Sequence, residues 1–416
     1  MWMLSRLLTR FIRNGTMRLI DAAGGVHLFG GSGPGPTVTL RLHDPALYGK
    51  LALNPELYAG EAYMNGTLTF EEGSAVGDLM ALFAANRGGL GSAASQKLLR
   101  RFWRAVKRWQ QANPVGVAAA NARQHYDVPV EIYRLFLDDG LNYSCAFFED
   151  PANDTLEAAQ QAKLRRATLK LGLKPGMTVA EIGSGWGSLA IHIARATGAS
   201  VLAANVSPEQ IRIARARAAA AGVADLVTFQ EVDYRDMTGR FDRVVSVGMM
   251  EHVGIGHFDA YFGTISRLLK DDGYAFIHCI GRMTPPGTTG PFIRKYIFPG
   301  AYVPSLSEVF AATERNALWV ADMEVLRLHY YHTLRHWRAR FAANRSEVAA
   351  IADERFCRMW ELYLVGAEMA FRRDGHLNFQ MQLAKQLDTV PLTRDYITDW
   401  ERTHAARPAQ SPGRAA

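Results

Sequence analysis

Between residues 177 and 282 short apolar runs alternate with longer amphipathic ones. MTVAEIGSG reads as a buried strand entering a glycine turn, and WGSLAIHIARATG as the helix that follows. ASVLAANVS and PEQIRIARARAAAAG repeat the pair, and LVTFQEVD, FDRVVSVGMMEHV and YAFIHCIGR continue the series. Strands alternating with helices of this length predict an α/β fold built on a doubly wound parallel sheet. The ligand of such a sheet lies beyond the carboxyl ends of its strands.

The flanks follow other patterns. The Gly/Pro-rich GGVHLFGGSGPGPT precedes TVTLRLHD, which alternates like a strand, and LALNPELYAGEAYMNGTLTFEEG follows. These predict a smaller N-terminal mixed α/β domain over 1–95, closed by the break NRGGLGSAAS. QKLLRRFWRAVKRWQQAN then carries Lys97, Arg100, Arg101, Arg104, Lys107 and Arg108 with no acid, interleaved with Leu98, Leu99, Phe102, Trp103, Val106 and Trp109. Over 96–123 this predicts a basic amphipathic linker helix. Such a helix either lies in a lipid interface or packs its aromatic stripe on the main domain. The main domain is expected over 124–401, with helical patterns dominating after residue 321, and AARPAQSPGRAA predicts a disordered tail over 402–416.

Composition adds bounds. At 416 residues and 48% hydrophobic content the chain is long enough for two cores. Cys145, Cys279 and Cys357 form no CxxC pair, which argues against a disulfide framework or structural zinc and suits a reducing cytoplasm. A net charge of +7 points to an anionic partner or surface. MWMLSRLLTRFIRNGTMRLID interrupts its apolar residues with Arg6, Arg10 and Arg13 and has no small-residue cleavage site, so it is a poor signal peptide. No stretch approaches the roughly 20 apolar residues that span a bilayer. The expectation is a cytoplasmic chain associated peripherally with the inner face of the cell membrane.

The clearest chemical motif is the turn EIGSGWG, with Glu181, Gly183, Ser184, Gly185 and Gly187. Its glycines let a ligand lie against the backbone at a helix N-terminus. A dinucleotide fingerprint requires GxGxxG, but its third glycine position is Ser188 here, and the lysine and hydroxyl of a phosphate loop are missing. An acid before a turn with little provision for phosphate fits the cationic S-adenosylmethionine of a class I methyltransferase. At the end of the second strand, where nucleoside-binding sheets place an acid on the ribose, AANVSPEQ offers Asn205, with Glu209 and Gln210 nearby. Glu251 and His252 after one strand, His278 at the end of another, and Tyr330 in LHYYHTLRHW complete the candidates. Singly each has a plainer reading as a cap, a satisfied core histidine or packing; placed together at strand ends they suit an active site. Metal catalysis is disfavoured, because HExxH is absent and His329, His332 and His336 have no adjacent carboxylate.

Several separated segments resemble, in order, the cyclopropane-fatty-acyl-phospholipid synthases and the related mycolic acid cyclopropane synthases. They are QHYDVPVEIYRLFLDDGLNYSCAFFE, EIGSGWGSLAIHIA, SVGMMEHVG, IFPGAYVPSLSEV and QLAKQLDTVPLTRDY, between about 124 and 400. GEAYMNGTLTFEEG extends the likeness, more weakly, into an N-terminal lipid-binding domain like that of the phospholipid-acting members. The resemblance implies a methylene transferred from S-adenosylmethionine to the cis double bond of a phospholipid acyl chain. It further implies a homodimer at an anionic bilayer surface, without nucleic acid. It places Tyr126, Tyr143 and Ser144 on the cofactor's methionine part, Gly183 on its backbone, Asn205 and Gln210 on the ribose side, and Asp233 with Tyr234 on the adenine side. Cys145, Glu251, His278 and Tyr330 would surround a bound bicarbonate, joined by the backbone near Ile280. Cys145 also has the plainer reading of a small buried hydrophobe. The chain departs from many members at YLVGAEMAFR, where Ala367 replaces a second cysteine and Glu368 follows. Glu368 is therefore a further catalytic candidate, joining the anion or supplying a carboxylate in its place, or else a surface glutamate. A methyl-branched product, and an inactive lipid-binding protein or a methyltransferase of another acceptor, are the competing readings.

Overall fold

The computed structural model describes residues 1–90 and 128–404. The basic segment over 96–123, Tyr126 and most of the expected tail fall outside the described residues. The small domain has a four-stranded sheet in the order β2-β1-β3-β4, from β1 (Asn14–Ile20), β2 (Val26–Gly30), β3 (Gly33–Leu42) and β4 (Leu68–Glu71). Helices Trp2–Phe11 and Val76–Leu90 pack against it, burying Leu4, Leu8, Phe11, Leu79 and Leu82.

The main domain carries a seven-stranded sheet in the order β10-β11-β9-β8-β5-β6-β7. Its parallel part is β5 (Thr178–Ile182), β6 (Ser200–Asn205), β7 (Val227–Glu231), β8 (Phe241–Val247) and β9 (Leu269–Arg282). Leu189, Ala190 and Ile193 of the helix Ser188–Thr197 cover one face, and Phe258, Phe262 and Ile265 of the helix Phe258–Leu268 belong to the core of the other. After β7 the chain returns to the far side of β5, so the switch point lies between β5 and β8, where an open α/β sheet leaves a crevice.

The expected parallel sheet gains an antiparallel edge, β11 (His376–Ala384) on β9 and β10 (Trp319–Val325) beyond it. These strands lie in a region whose sequence pattern is helical. Strand β11 hides itself because Asn378, Gln380 and Gln382 are buried polar residues, so its two buried faces do not read as an apolar run. Long helices His329–Ala343 and Glu354–Arg373 close over that edge and bury Trp337, Phe341, Trp360 and Leu364.

The two domains touch directly. In the small domain's helix Pro55–Met64, the Tyr63 hydroxyl donates to Glu361 (2.8 Å) and Glu61 accepts from Lys295 (2.6 Å) and Tyr296 (2.7 Å). Among the described residues no helix is long and apolar enough to cross a membrane.

Candidate active site

Past the end of β5, Gly183 (φ 85°), Gly185 (φ 50°) and Gly187 (φ 85°) hold left-handed backbone. Residues with a Cβ are disfavoured there by roughly 1–2 kcal/mol each. The turn they make aims the N-terminus of the helix Ser188–Thr197 at a cleft between the ends of β5 and β8. Tyr143, Ser144, Glu181, Gly183, Ser184, Gly185, Asn205, Gln210, Asp233 and Tyr234 all line it. Gly187 does not: a Cβ there would meet the Phe229 ring at 2.7 Å and Ala214 Cβ at 2.9 Å, so its glycine is demanded by packing.

Several of these side chains also hold protein partners. The Asn205 amide donates to the Gly185 carbonyl (3.1 Å) and to Gln210 Oε1 (2.9 Å), while its Oδ1 accepts from the Ser207 N–H (3.0 Å). Asn205 thus braces the glycine turn, and Gln210 Nε2 is the buried amide left without a partner. Both Asp233 oxygens accept from Arg235, at 2.7 Å each, and the Tyr143 hydroxyl shares a 2.8 Å bond with Tyr363. Ser184 Oγ and Glu181 Oε2 are also buried without partners. Burial pushes the Glu181 carboxyl up, against the pull of the nearby Lys163 ammonium and of the Ala190 N–H. These orphaned atoms fit S-adenosylmethionine, whose ammonium and hydroxyls offer the missing partners. The sequence reading missed Lys163, buried in the same wall on an alanine-rich helix with little amphipathic contrast.

A second polar site adjoins the cleft. Strands β8 and β9 place Val247 opposite His278, and the Gly248 N–H donates to the His278 carbonyl (2.8 Å). Two residues on, the Ile280 N–H donates to Glu251 Oε1 at 2.7 Å. Glu251 is only 6% exposed and its Oε2 has no hydrogen-bond partner. Burial pushes its carboxyl up to about 7, against the opposing pull of the Ile280 N–H.

His278 lies between two carboxamides of β11: Gln380 Nε2 is 3.2 Å from Nδ1, and the Asn378 amide is 3.2 Å from Nε2. Lys170 donates to Gln380 Oε1 (2.7 Å), which turns the Gln380 amide toward the ring and makes Nδ1 the acceptor. The ring proton then sits on Nε2. Turning the Asn378 carboxamide over gives that proton an acceptor and satisfies Oδ1, otherwise buried and unpartnered. Burial, with Lys163 and Lys170 nearby, pushes His278 down to about 3, so the ring is neutral.

The turn holding Tyr143, Ser144 and Cys145 lines the cofactor cleft with its first two residues. The Ala146 N–H donates to Thr333 Oγ1 (3.0 Å), the buried Cys145 thiol donates to the Ala146 carbonyl (3.3 Å), and burial pushes that thiol's pKa up. Tyr330 stands edge-on to Phe371 (4.6 Å) and Trp337 (5.7 Å), and Leu326 on the approach to its helix donates to the Asn378 carbonyl beside Ile280. Glu368 Oε2 lies 2.7 Å from Arg338 Nε on the neighbouring helix, an ion pair that lacks hydrogen-bond geometry. His329 and His336 stack on Phe147 and Phe148.

A family model described as mycolic acid cyclopropane synthetase matches residues 116–381. The probable fatty acid methyltransferase of Pseudomonas putida is 36% identical over 360 residues, covering 85% of this chain and 88% of that one. Tuberculostearic acid methyltransferase UfaA1 of Mycobacterium tuberculosis is 40% identical over 282 residues, covering 65% and 66%. The cyclopropane-fatty-acyl-phospholipid synthase of Escherichia coli is 40% identical over 250 residues, covering 60% and 64%. This chain therefore spans just under two thirds of the length of the last two. The crystal structure of mycolic acid cyclopropane synthase CmaA1 complexed with SAH and CTAB aligns with a TM-score of 0.60 at 31% identity, over 64% of this chain and 97% of that one. The chain belongs to the mycolic acid cyclopropane synthetase family and is an S-adenosylmethionine-dependent methyltransferase.

Proposed function

We propose that this chain adds a methylene group across the cis double bond of an unsaturated phospholipid acyl chain and closes a cyclopropane ring. The observation that carries the reading is Glu251: a buried carboxylate with one unpartnered oxygen, at a strand end beside the cofactor cleft. S-adenosylmethionine, when bound, supplies an electrophilic methyl group. An alkene is a weak nucleophile, so the walls must hold it close and exclude water. Cys145, His278 and Tyr330, all buried, serve as those walls. The new methyl leaves a carbocation on the acyl chain. One methyl C–H bond then breaks, its electron pair forms the second ring bond, and the Glu251 carboxylate takes the proton. A neutral His278 adds no positive charge beside that cation, and the Tyr330 ring would offer it an aromatic face.

We favour Glu251 over a bound bicarbonate as the base. The Ile280 N–H is committed to Glu251, both His278 ring nitrogens to β11, and the Cys145 thiol to a backbone carbonyl. Glu368 is paired with Arg338 across the helices, which makes it the weaker candidate for the replacement carboxylate. A methyl-branched product is the second reading. It is favoured by the Pseudomonas putida relative, named as a fatty acid methyltransferase, whose match covers 85% of the chain and so reaches into the small domain.

The small domain supports a bilayer as the source of substrate. Trp2, Met3, Leu28 and Leu53 stand 72%, 57%, 70% and 79% exposed on its first helix, on β2 and at the end of the helix Leu47–Leu53. Arg6 and Arg10 are exposed on the same first helix, beneath which lies a cavity walled entirely by apolar side chains such as Leu8, Met17, Leu40 and Phe83. Purified chain given anionic vesicles of unsaturated phospholipid and S-adenosylmethionine is expected to raise acyl mass by one CH2, read by mass spectrometry; no mass gain would refute the reading. Replacing Trp2, Leu28 and Leu53 together with serine is expected to weaken vesicle binding by about tenfold or more, since each exposed apolar side chain contributes on the order of 1–3 kcal/mol when buried. Unchanged binding would move the docking face elsewhere.

A further inference from the structure

Lys163 is 3% exposed, on the helix Leu156–Lys170, in the wall of the cofactor cleft. Its Nζ donates to Asn142 Oδ1 and Ser144 Oγ, both at 2.9 Å. An ammonium has three donors, so one is uncommitted, and Lys163 forms no ion pair among the described residues. Asp138 and Glu181 pull on this ammonium only from beyond ion-pair distance, so among the described residues no carboxylate contacts it directly, and a buried cation so placed favours an anion that does. Ser144, accepting from Lys163, keeps its own O–H to donate.

The same cleft holds a carboxyl. Glu181 Oε2 is buried and unpartnered there, so the walls carry an ammonium and, apart from it, a carboxyl that a ligand's own ammonium would hold ionised. That pair is the complement of an amino-acid zwitterion, and an amino-acid zwitterion is the tail of S-adenosylmethionine. We infer that Lys163 receives the α-carboxylate of the cofactor, aided by the Ser144 hydroxyl, while Glu181 receives its α-ammonium. This assignment rests on the cleft being the S-adenosylmethionine site. Burial pushes the Lys163 ammonium down, with Asp138, Cys145 and Glu181 pulling it back, and a bound carboxylate would hold it charged. The sequence signal was present but faint: a lysine in AAQQAKLRRA at a position whose helical neighbours Ala159 and Ala167 are buried.

Calorimetric titration with S-adenosylhomocysteine and with its decarboxylated analogue tests the assignment without any turnover. Wild-type chain is expected to bind the carboxylate-bearing ligand at least tenfold more tightly than the analogue. Lys163→Met is expected to bind S-adenosylhomocysteine tenfold or more weakly and to lose the preference, binding both ligands alike. A Lys163→Met chain that keeps the preference would overturn the assignment and leave Lys163 as a brace for Asn142 and Ser144. Should that variant fail to fold, Lys163→Gln keeps a donor for the same two oxygens without the charge, and its preference decides in the same way. Failure of wild-type chain to bind S-adenosylhomocysteine at all would instead refute the cofactor reading of the cleft.

Discussion

Glu251→Gln is expected to lower turnover by a factor of roughly 10²–10⁴, the range a positioned general base contributes, while S-adenosylhomocysteine affinity stays within about threefold of wild type. The split follows from where the side chain sits. Glu251 is bonded to the Ile280 N–H and lies next to the cofactor cleft without lining it, so losing its charge removes a proton acceptor and leaves the cofactor's contacts intact. Glutamine preserves the bond from Ile280 through its carbonyl oxygen, which keeps the fold. The pH dependence carries a sign as well. The base must be ionised, and burial pushes its carboxyl up to about 7, so kcat/KM should rise through about pH 7 and level off above it. Depleting dissolved bicarbonate should leave wild-type turnover unchanged, because the proposed acceptor is the protein's own carboxylate. A Glu251→Gln chain with near-normal turnover, or a bicarbonate requirement, would each place the base elsewhere.

Gly187→Val is expected to destabilise the main domain by about 3–5 kcal/mol, roughly 1–2 from left-handed backbone and the rest from overpacking. The added side chain would start 2.7 Å from the Phe229 ring and 2.9 Å from Ala214 Cβ, both in the core between the sheet and its helices. At about 2 °C per kcal/mol or somewhat more, a melting point lower by on the order of 10 °C should result. Gly185→Ala is the control, since nothing lies within 4 Å of a Cβ there and only the φ of 50° opposes it. Its melting point should fall by only a few degrees. Equal losses in the two variants would mean that Gly187 is not held by packing.

The glycine turn was legible in sequence because its backbone leaves few alternatives: three left-handed residues after a buried strand call for glycine at Gly183, Gly185 and Gly187. What each glycine faces was not, since Phe229 approaches Gly187 from a strand some forty residues on. The parallel strands declared themselves as apolar runs, whereas β11 did not, because its buried face carries Asn378 and Gln380 to hold His278. The polar partners of His278 thus concealed the strand that carries them. Side-chain commitments were equally hidden: whether Asn205 reaches outward or braces Gly185, and whether Glu368 meets Arg338, depends on partners that spacing does not reveal. Lys163 was passed over because a lone lysine in an alanine-rich helix reads as solvated, and only the tertiary structure buries it.

The central claim is that the base takes its proton from the transferred methyl group. The measurement that meets it most directly is mass spectrometry of the acyl product after supplying purified chain and unsaturated vesicles with S-adenosylmethionine carrying a fully deuterated methyl group. A saturated-ring product that keeps two of the three deuteriums is the result expected here. A product that keeps all three would be a methyl-branched chain, and would contradict both the ring closure and the role given to Glu251.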